Sequence, residues 1–335
     1  GTADFTVTLD NDVEGGFSVD FGVDVDSVAS LTAESGDVYV ASSGTLSFAG
    51  TAGEAQTATV TIDDDSSVET SETYELVLSS VSVASTHDVT IGGAGAGTIT
   101  DNDETIATIS GDASVVEGAS AGYTIALTQP VEVDGQVLTV AYEAQDGTAD
   151  VASDLLETES ALSDSIDFAA GDTSGAISYK TNPDAYVEGV EDFKVVLSGA
   201  GIDNPTSDPL LTDINSRINL SSTAAEVQTT TTIDDVGTAT INLSSGTATV
   251  RESLVSGDML LTFNIVLDRH VMSAGEVSVD YATEPYGSNP ATAGSDYETT
   301  SGTAIFTNAD PTKPIPDMAD PFPSAEITVQ VKNDQ

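Results

Sequence analysis

The chain has 335 residues, with seven Lys and Arg against 56 Asp and Glu, and a formal net charge of −49. This charge argues against nucleic acid and anionic membranes as direct partners. No run of 18 apolar residues is present to cross a membrane, and without Cys no disulfide can hold the fold. The apolar fraction of 39% is too high for a disordered acidic tail, and frequent Thr, Ser and Gly favour a β-rich fold with many turns.

Three segments share one pattern, in which two strands of period two flank a polar, Gly-containing turn. They span residues 5–25, 123–142 and 261–281. The pattern predicts a β-hairpin in each segment.

The elements that follow these segments also repeat. A Val-Glu pair recurs at Val68-Glu69 and Val187-Glu188, each followed by a strand, and a Thr-rich strand ending in acids recurs at 98–103 and 230–235. No helical periodicity is visible, and each complete unit holds about seven short strands, as an immunoglobulin-like sandwich does. The sequence therefore predicts an all-β fold of tandem seven-stranded immunoglobulin-like β-sandwiches.

The predicted repeats span residues 1–103, 104–236 and 237–335. The first lacks its opening strand, and the third stops after its fifth strand, so we expect a window from a longer array. The first residue is Gly rather than Met, which fits a processed form or a segment. The alternative is that a neighbouring chain donates the missing strands.

Two insertions interrupt the pattern. The second repeat carries a long one at 199–225, which we expect to be a solvated excursion, with a contact surface as the alternative. The third carries a Pro-rich one at 310–323, expected to be extended and semi-rigid.

Two acidic phrases, 62–72 and 98–104, each follow a strand. Carboxylates crowded at a strand end repel one another unless a positive charge lies between them, and basic residues are scarce. Hard oxygen ligands without Cys or clustered His point to calcium. The alternative is a solvated acidic coat, as in halophilic proteins.

The order of these phrases resembles the Calx-β domain in tandem copies. It is carried by Thr238 to Glu252, Val279 to Thr283, Gly294 to Tyr297, Val68 to Glu72 and Ile99 to Asp103. The resemblance implies a calcium-binding, seven-stranded sandwich whose ions sit at one tip, near the next domain. The family includes regulatory domains of sodium–calcium exchangers and repeat tracts of bacterial surface proteins and adhesins.

The resemblance also implies the calcium ligands, carried over by motif. In the first repeat they are Asp37, Asp63, Asp64, Asp65, Glu69, Glu72, Asp101 and Asp103. In the second they are Glu117, Asp154, Asp184, Glu188, Glu191, Asp234 and Asp235. In the third they are Glu252, Asp296 and Asp334. Because the second repeat reads Asn182-Pro183-Asp184 where the first has three Asp, we expect its site to bind fewer ions or to bind them more weakly.

No catalytic constellation is recognisable. The two His, His87 and His270, belong to no triad phrase, and 5% aromatics without Trp is poor for a glycosidase. We expect no enzyme, but a calcium-rigidified structural or adhesive segment (stalk, fibre or matrix component) of a large extracellular or cell-surface repeat protein.

Its expected partners are calcium ions, neighbouring repeats of the chain and, beyond them, other copies of the chain or surface polysaccharide. Two alternatives stay open. One is a calcium-sensing regulatory module. The other is a carbohydrate-binding adhesion module, for which Tyr281, Tyr286 and Tyr297 are the only grouped aromatic candidates.

Overall fold

The computed structural model describes residues 1–24, 42–83, 88–133, 135–156, 161–184, 186–204, 207–244, 249–250, 259–272, 277–306 and 323–333. We refer below to the predicted repeats, 1–103, 104–236 and 237–335, as the first, second and third repeat. In the described part of the chain, no helix has the length and apolar character needed to cross a membrane.

Strands dominate all three repeats. The first contains β1 (Thr2–Thr8), β2 (Phe17–Asp24), β3 (Gly44–Phe48), β4 (Ala55–Thr61), β5 (Val68–Glu69), β6 (Glu72–Val83) and β7 (Gly95–Ile99). The second contains β8 (Thr105–Gly111), β9 (Ser114–Val116), β10 (Ser120–Leu127), β11 (Val131–Glu132), β12 (Leu138–Asp146), α1 (Val151–Asp154), β13 (Ser163–Phe168), β14 (Ser174–Lys180), β15 (Val187–Glu188), β16 (Glu191–Ile202), α2 (Pro209–Asn215), β17 (Ile218–Leu220), α3 (Ala224–Val227) and β18 (Gln228–Asp234). The third contains β19 (Ile241–Leu243), β20 (Met259–Leu267), β21 (Val271–Met272), β22 (Val277–Ala282), β23 (Ser301–Phe306) and β24 (Ser324–Val331).

Each repeat forms two sheets that face one another. In the second repeat the sheets have the orders β14-β10-β8-β17 and β13-β12-β16-β18-β9. The first repeat has β1-β4 against β3-β2-β6-β7, and the third has β19-β20-β24 and β22-β23. This is the predicted all-β sandwich architecture.

The predicted hairpins, by contrast, are wrong. Strand β1 pairs antiparallel with β4, whereas the next strand, β2, pairs with β3 and β6 in the opposite sheet. The same holds for β10 and β12 and for β20 and β22. Period-two alternation reports which face of a strand is buried, and it does not report which strand lies beside it. Two strands with one apolar face each can therefore pack across the core instead of pairing edge to edge.

Aromatic rings join the two sheets of the second repeat. Fully buried Tyr179, on β14, makes edge contacts with the rings of Tyr123, Tyr142 and Phe193 at centroid distances of 6.1, 6.3 and 6.3 Å. The Tyr123 hydroxyl shares a 2.7 Å hydrogen bond with the Thr231 hydroxyl, and burial raises the pKa of Tyr123 to about 12. The phenol therefore stays neutral inside the core.

The insertion of the second repeat is not a solvated excursion. It contains helix α2 and strand β17, and β17 pairs in parallel with β8. Ile214 is fully buried and Ile218 is 4% exposed, both within the second repeat's core. Burying these side chains stabilises the ordered insertion, so the expectation of a solvated loop was wrong. Of the Pro-rich insertion in the third repeat, residues 310–322 lie outside the described residues.

Successive repeats are joined by the same small contact. Strand β5 of the first repeat pairs in parallel with β11 of the second, with Val68 opposite Val131. Strand β15 of the second pairs in parallel with β21 of the third, with Val187 opposite Val271. We call these two contacts the first and second junction bridge. Each places a Val-Glu pair of one repeat against the short strand that follows β10 in the second repeat or β20 in the third.

Candidate cation-binding tips

The first acidic tip is a cleft at the end of the first repeat. Its volume is about 310 Å³ and its lining includes the seven described carboxylates predicted for this repeat, Asp63, Asp64, Asp65, Glu69, Glu72, Asp101 and Asp103. The eighth predicted ligand, Asp37, lies outside the described residues. The strands β4, β5, β6 and β7 end or begin at this cleft, so the motif order does bring the acids together.

Backbone amides orient the carboxylates of this tip. Asp101 accepts hydrogen bonds from the Glu69 amide at 2.8 Å and from the Asp103 amide at 2.9 Å. Asp65 accepts from the Ser67 amide at 2.8 Å. Burial, followed by the negative charges of Asp64 and Asp65, raises the pKa of Asp103. The tip is therefore negatively charged, with its central carboxylate fixed in place.

Arg217, from the insertion of the second repeat, also enters the first tip. Its guanidinium forms an ion pair with Asp101 and donates to the Glu69 carbonyl at 2.6 Å. No motif in the sequence gave this residue a role. The signal that could have found it is the scarcity of basic residues. The chain has only seven Lys and Arg, so each of them has many carboxylates available as partners.

The second acidic tip brings together six of its seven predicted ligands: Glu117, Asp154, Asp184, Glu188, Glu191 and Asp235. It is built on the same amide pattern as the first. The Glu188 amide donates to Asp235 at 2.7 Å, as the Glu69 amide does to Asp101. Asp235 therefore occupies the position of Asp101. The Asp184 amide in turn donates to Glu117 at 2.6 Å.

The seventh predicted ligand, Asp234, is placed differently. It is the last residue of β18, it is exposed, and its carbonyl accepts a hydrogen bond from the Glu117 amide at 3.0 Å. In the alignment with the first repeat it takes the position of Thr100, and Gly237 takes that of Asp103. Asp235 and Gly237, rather than Asp234 and Asp235, thus take the positions of Asp101 and Asp103.

The carboxylates of the second tip perturb one another strongly. Burial, and then the charges of Asp184, Glu191, Asp154 and Glu117, raises the pKa of Glu188 to about 8. Burial, and then Asp154, which also hydrogen-bonds to it, raises the pKa of Glu191 to about 7. The pKa values of Glu117, Asp154 and Asp184 are raised as well, with burial as the largest cause. Such raised values mean that the cluster gains from any positive charge placed within it.

Helix α1 positions Asp154, and the third repeat copies that arrangement. Asp154 accepts a hydrogen bond from the Asp150 amide at 2.8 Å, and its carbonyl accepts from the Asn182 amide at 2.8 Å. Asp296 accepts from the Thr292 amide at 2.6 Å, and its carbonyl accepts from the Lys332 amide at 2.9 Å. Asp296 is thus the structural equivalent of Asp154. The other predicted ligands of the third repeat, Glu252 and Asp334, lie outside the described residues.

The donor chemistry of the second tip fits a hard divalent cation, because its donors are carboxylate oxygens drawn from four separate segments of the second repeat. The present spacing is wider than a coordination shell. Among the residues that the structure describes, no three His, Cys, Asp or Glu side chains are grouped closely enough to hold a metal ion as they stand. Binding would require side-chain rotation at this tip.

The aromatic residues considered for sugar binding do not form one platform. Tyr286 is 95% exposed, whereas Tyr297 is only 9% exposed. A buried ring cannot stack on a sugar, so this grouping gives no support to a carbohydrate site. His270 packs against Tyr186 at a centroid distance of 5.9 Å, beside the second junction bridge. His87 lies outside the described residues.

The model of the Calx-beta domain family matches residues 1–105, 100–218 and 234–316. The chain therefore belongs to the Calx-beta domain family, in three tandem copies, and is a calcium-related module. This confirms the resemblance drawn from the motifs.

Solved structures gave distant likenesses. The chain is similar to an apo-form Calx CBD1 domain, with 17% identity, 40% of this chain and 98% of that chain covered, and a TM-score of 0.30. It is also similar to a calcium binding domain CBD12 of CALX1.1, with 13% identity, 69% and 93% coverage, and a TM-score of 0.29. A comparison with curated protein sequences gave no match.

Proposed function

We propose that the chain is a calcium-rigidified structural segment of a large extracellular or cell-surface repeat protein, acting as part of a stalk, fibre or matrix. In this proposal, the acidic tips bind calcium and thereby stiffen the connections between repeats. One observation carries it: the residues that line each tip also form the bridge to the next repeat.

Glu69 and Glu188 make this connection directly. The side chain of Glu69 lines the first tip, while its backbone pairs with Glu132 of the second repeat. The carboxylate of Glu188 lies in the second cluster, while its backbone pairs with Met272 of the third repeat. A cation held by either carboxylate would therefore be anchored to a strand that holds two repeats together.

Calcium binding would change the charge balance among the carboxylates of the second tip. At the second tip, Glu188 and Glu191 are protonated near neutral pH or else repel their neighbours, as their raised pKa values indicate. Calcium supplies two positive charges and takes about six to eight oxygen ligands. With that charge in place, Glu117 and Asp184, whose pKa values burial raises, can remain ionised together while the amide hydrogen bonds from Glu188 and Asp184 keep the bridge in register.

Composition supports the proposed location and partners. A net charge of −49 suits a setting in which calcium is abundant, because the cation offsets the mutual repulsion of the carboxylates. The neighbouring repeats of the chain are the structural partners, and other copies of the chain or surface polysaccharide are proposed as further ones.

Thermal melting and X-ray scattering of the whole chain test this function. We expect calcium to raise the melting temperature and to lengthen and stiffen the particle relative to chelator, because ligand that binds only the folded state stabilises it. The double variant Glu188→Gln/Glu191→Gln should lose the part of the calcium-induced shift that comes from the second tip. The matched control, Asp203→Asn, changes an exposed carboxylate in the insertion and should keep it.

Magnesium at the same concentration separates specific binding from charge screening. If calcium and magnesium raise the melting temperature equally, or if neither changes it, the proposal fails. The sensing alternative predicts tight binding, with a dissociation constant of about 10⁻⁷–10⁻⁵ M, whereas the structural proposal predicts weaker binding, about 10⁻⁴–10⁻³ M.

A further inference from the structure

We propose that Arg217 is a built-in cation of the first acidic tip, through which the insertion of the second repeat clamps the first junction without calcium. The inference deepens the proposed function and rests on it in one respect, the competition between Arg217 and calcium. The clamp itself needs only the contacts of the guanidinium.

The guanidinium lies where four oxygen atoms from three segments meet. One terminal nitrogen, Nη1, pairs with the Asp101 carboxylate and lies 3.4 Å from the Asp103 carbonyl. The other, Nη2, donates to the Glu69 carbonyl at 2.6 Å and to Asp213 at 3.2 Å. The Arg217 side chain is 11% exposed and that of Asp101 is 10% exposed. The pair is therefore shielded from water, unlike an ordinary surface ion pair.

The insertion delivers the guanidinium on a rigid support. Helix α2 begins at the Asp208 cap, whose carboxylate accepts from the Leu210 amide at 2.9 Å. Arg217 then follows the buried Ile214 and precedes the buried Ile218. Its carbonyl accepts a hydrogen bond from the Thr105 amide at 3.0 Å. The backbone is thus anchored on both sides, and little conformational entropy remains to be lost when the side chain pairs.

The bonds of Arg217 span the two repeats. Asp101, Asp103 and Glu69 belong to the first repeat, while Arg217 belongs to the second. Glu69 also forms the first junction bridge, so the guanidinium ties down the strand that the bridge depends on. An arginine stays charged at any physiological pH, so this clamp is always present.

Arg217 and calcium would claim the same ligand. Asp101 is a predicted calcium ligand, and one of its carboxylate oxygens already accepts from both Arg217 and the Glu69 amide. Placing a divalent ion beside a buried guanidinium adds like-charge repulsion. We therefore expect the first tip of the native chain to bind calcium more weakly than its carboxylate count suggests, and to bind it more tightly once Arg217 is neutralised.

The test compares Arg217→Gln with Arg269→Gln, a matched neutralisation of an exposed arginine in the third repeat. In chelator, Arg217→Gln should raise the equilibrium constant for unfolding by about tenfold or more. Removing one partner of a largely buried ion pair leaves the charge of the other partner uncompensated. Arg269→Gln should leave it unchanged. Under calcium titration followed by calorimetry, Arg217→Gln should raise the affinity at one site by at least about threefold, since one competing positive charge has been removed.

A double-mutant cycle guards against a variant that fails to fold. Asp101→Asn keeps the arginine, and Arg217→Lys keeps the charge while losing the two-pronged geometry. A coupling between positions 217 and 101 in chelator supports the clamp, and additive effects overturn it. If the native chain binds no calcium but the coupling persists, the clamp stands and the proposed function falls. If Arg217→Gln behaves like Arg269→Gln in both assays, the inference falls.

Discussion

Val68 of the first repeat and Val131 of the second lie opposite one another in a parallel bridge, and both are buried in the core of the second repeat. Val68 is fully buried, and its amide donates to the Pro130 carbonyl at 2.9 Å. A residue encoded in one repeat thus completes the hydrophobic core of the next, and folding of the two is expected to be coupled.

Replacing Val68 with Ala tests this coupling. Loss of a fully buried valine side chain should destabilise the second repeat by about 1.5–3 kcal/mol, although the mutation lies in the first. Denaturant unfolding combined with hydrogen exchange would locate the effect. Val190→Ala, at a position 68% exposed, is the control and should change little. Destabilisation confined to the first repeat would contradict the shared core.

The second tip predicts how stability depends on pH without calcium. The folded-state pKa values of Glu188 and Glu191 are raised to about 8 and about 7, above their ordinary value of 4.5. The folded state therefore holds protons that the unfolded state releases, so this stability is complete below pH 4.5 and is lost as pH rises toward 8. In chelator, the melting temperature of the second repeat should fall between these pH values, and Glu188→Gln/Glu191→Gln should flatten the decline. A melting temperature that rises across this window would refute the assignment.

Calcium binding at the second tip should release protons. Because Glu188 and Glu191 are partly protonated near pH 7, an ion that binds their ionised forms must displace those protons. Calorimetric titrations at pH 7 in two buffers of different ionisation enthalpy would give different observed heats. The affinity should also increase from pH 6 to pH 8. Equal heats in both buffers would mean that these carboxyl groups are not ligands.

Gly147 lies where the chain passes close to the backbone of Asp192 just before helix α1. A Cβ at this position would lie 2.3 Å from the Asp192 carbonyl, which also accepts from the Ala149 amide at 3.0 Å. We expect Gly147→Ala to shift the segment that carries Asp154, to destabilise the second repeat by at least about 1–3 kcal/mol and to weaken calcium binding. Gly199→Ala is the matched control, because a Cβ there meets nothing within 4 Å. Wild-type melting of Gly147→Ala would contradict the close approach.

Ile214 tests whether the insertion is integral to the second repeat. It is fully buried on α2, and Ile→Ala at such a site costs about 2–5 kcal/mol. Leu210→Ala, on the same helix but 46% exposed, should cost far less. Urea unfolding of both variants would measure the two losses of stability. Equally small losses would show that the insertion is a dispensable loop.

Much of the architecture could be predicted from the sequence, because alternating residues mark one buried face and the acidic phrases mark strand ends. The pairing of strands could not, since β1 and β2 satisfy the same alternation whether they lie side by side or across a core. The insertion was misjudged because Ile214 and Ile218 each have polar neighbours in the sequence, and only the folded sheet offers Ile218 the edge of β8.

The acidic tips, too, could be predicted only in part from the sequence. Motif order predicted that Glu188, Glu191 and Asp235 lie close together, and the structure places them at one end of the sandwich, where β15 ends, β16 begins and β18 ends. It missed Arg217, which is more than a hundred positions from Asp101 and reaches it only through the packing of two repeats. Asp234 and Asp235 are adjacent acids, so composition alone could not decide which of the two corresponds to Asp101.

The segment between the first two repeats has little free length. Asp101 is held by the Glu69 amide, and Thr105 is fully buried, with its hydroxyl bonded to the Gln129 carbonyl at 2.7 Å. A protease must draw an extended stretch of chain into its cleft, and exposed loop tips are its usual targets. This connection offers no such stretch, so limited proteolysis should leave the first two repeats attached to one another.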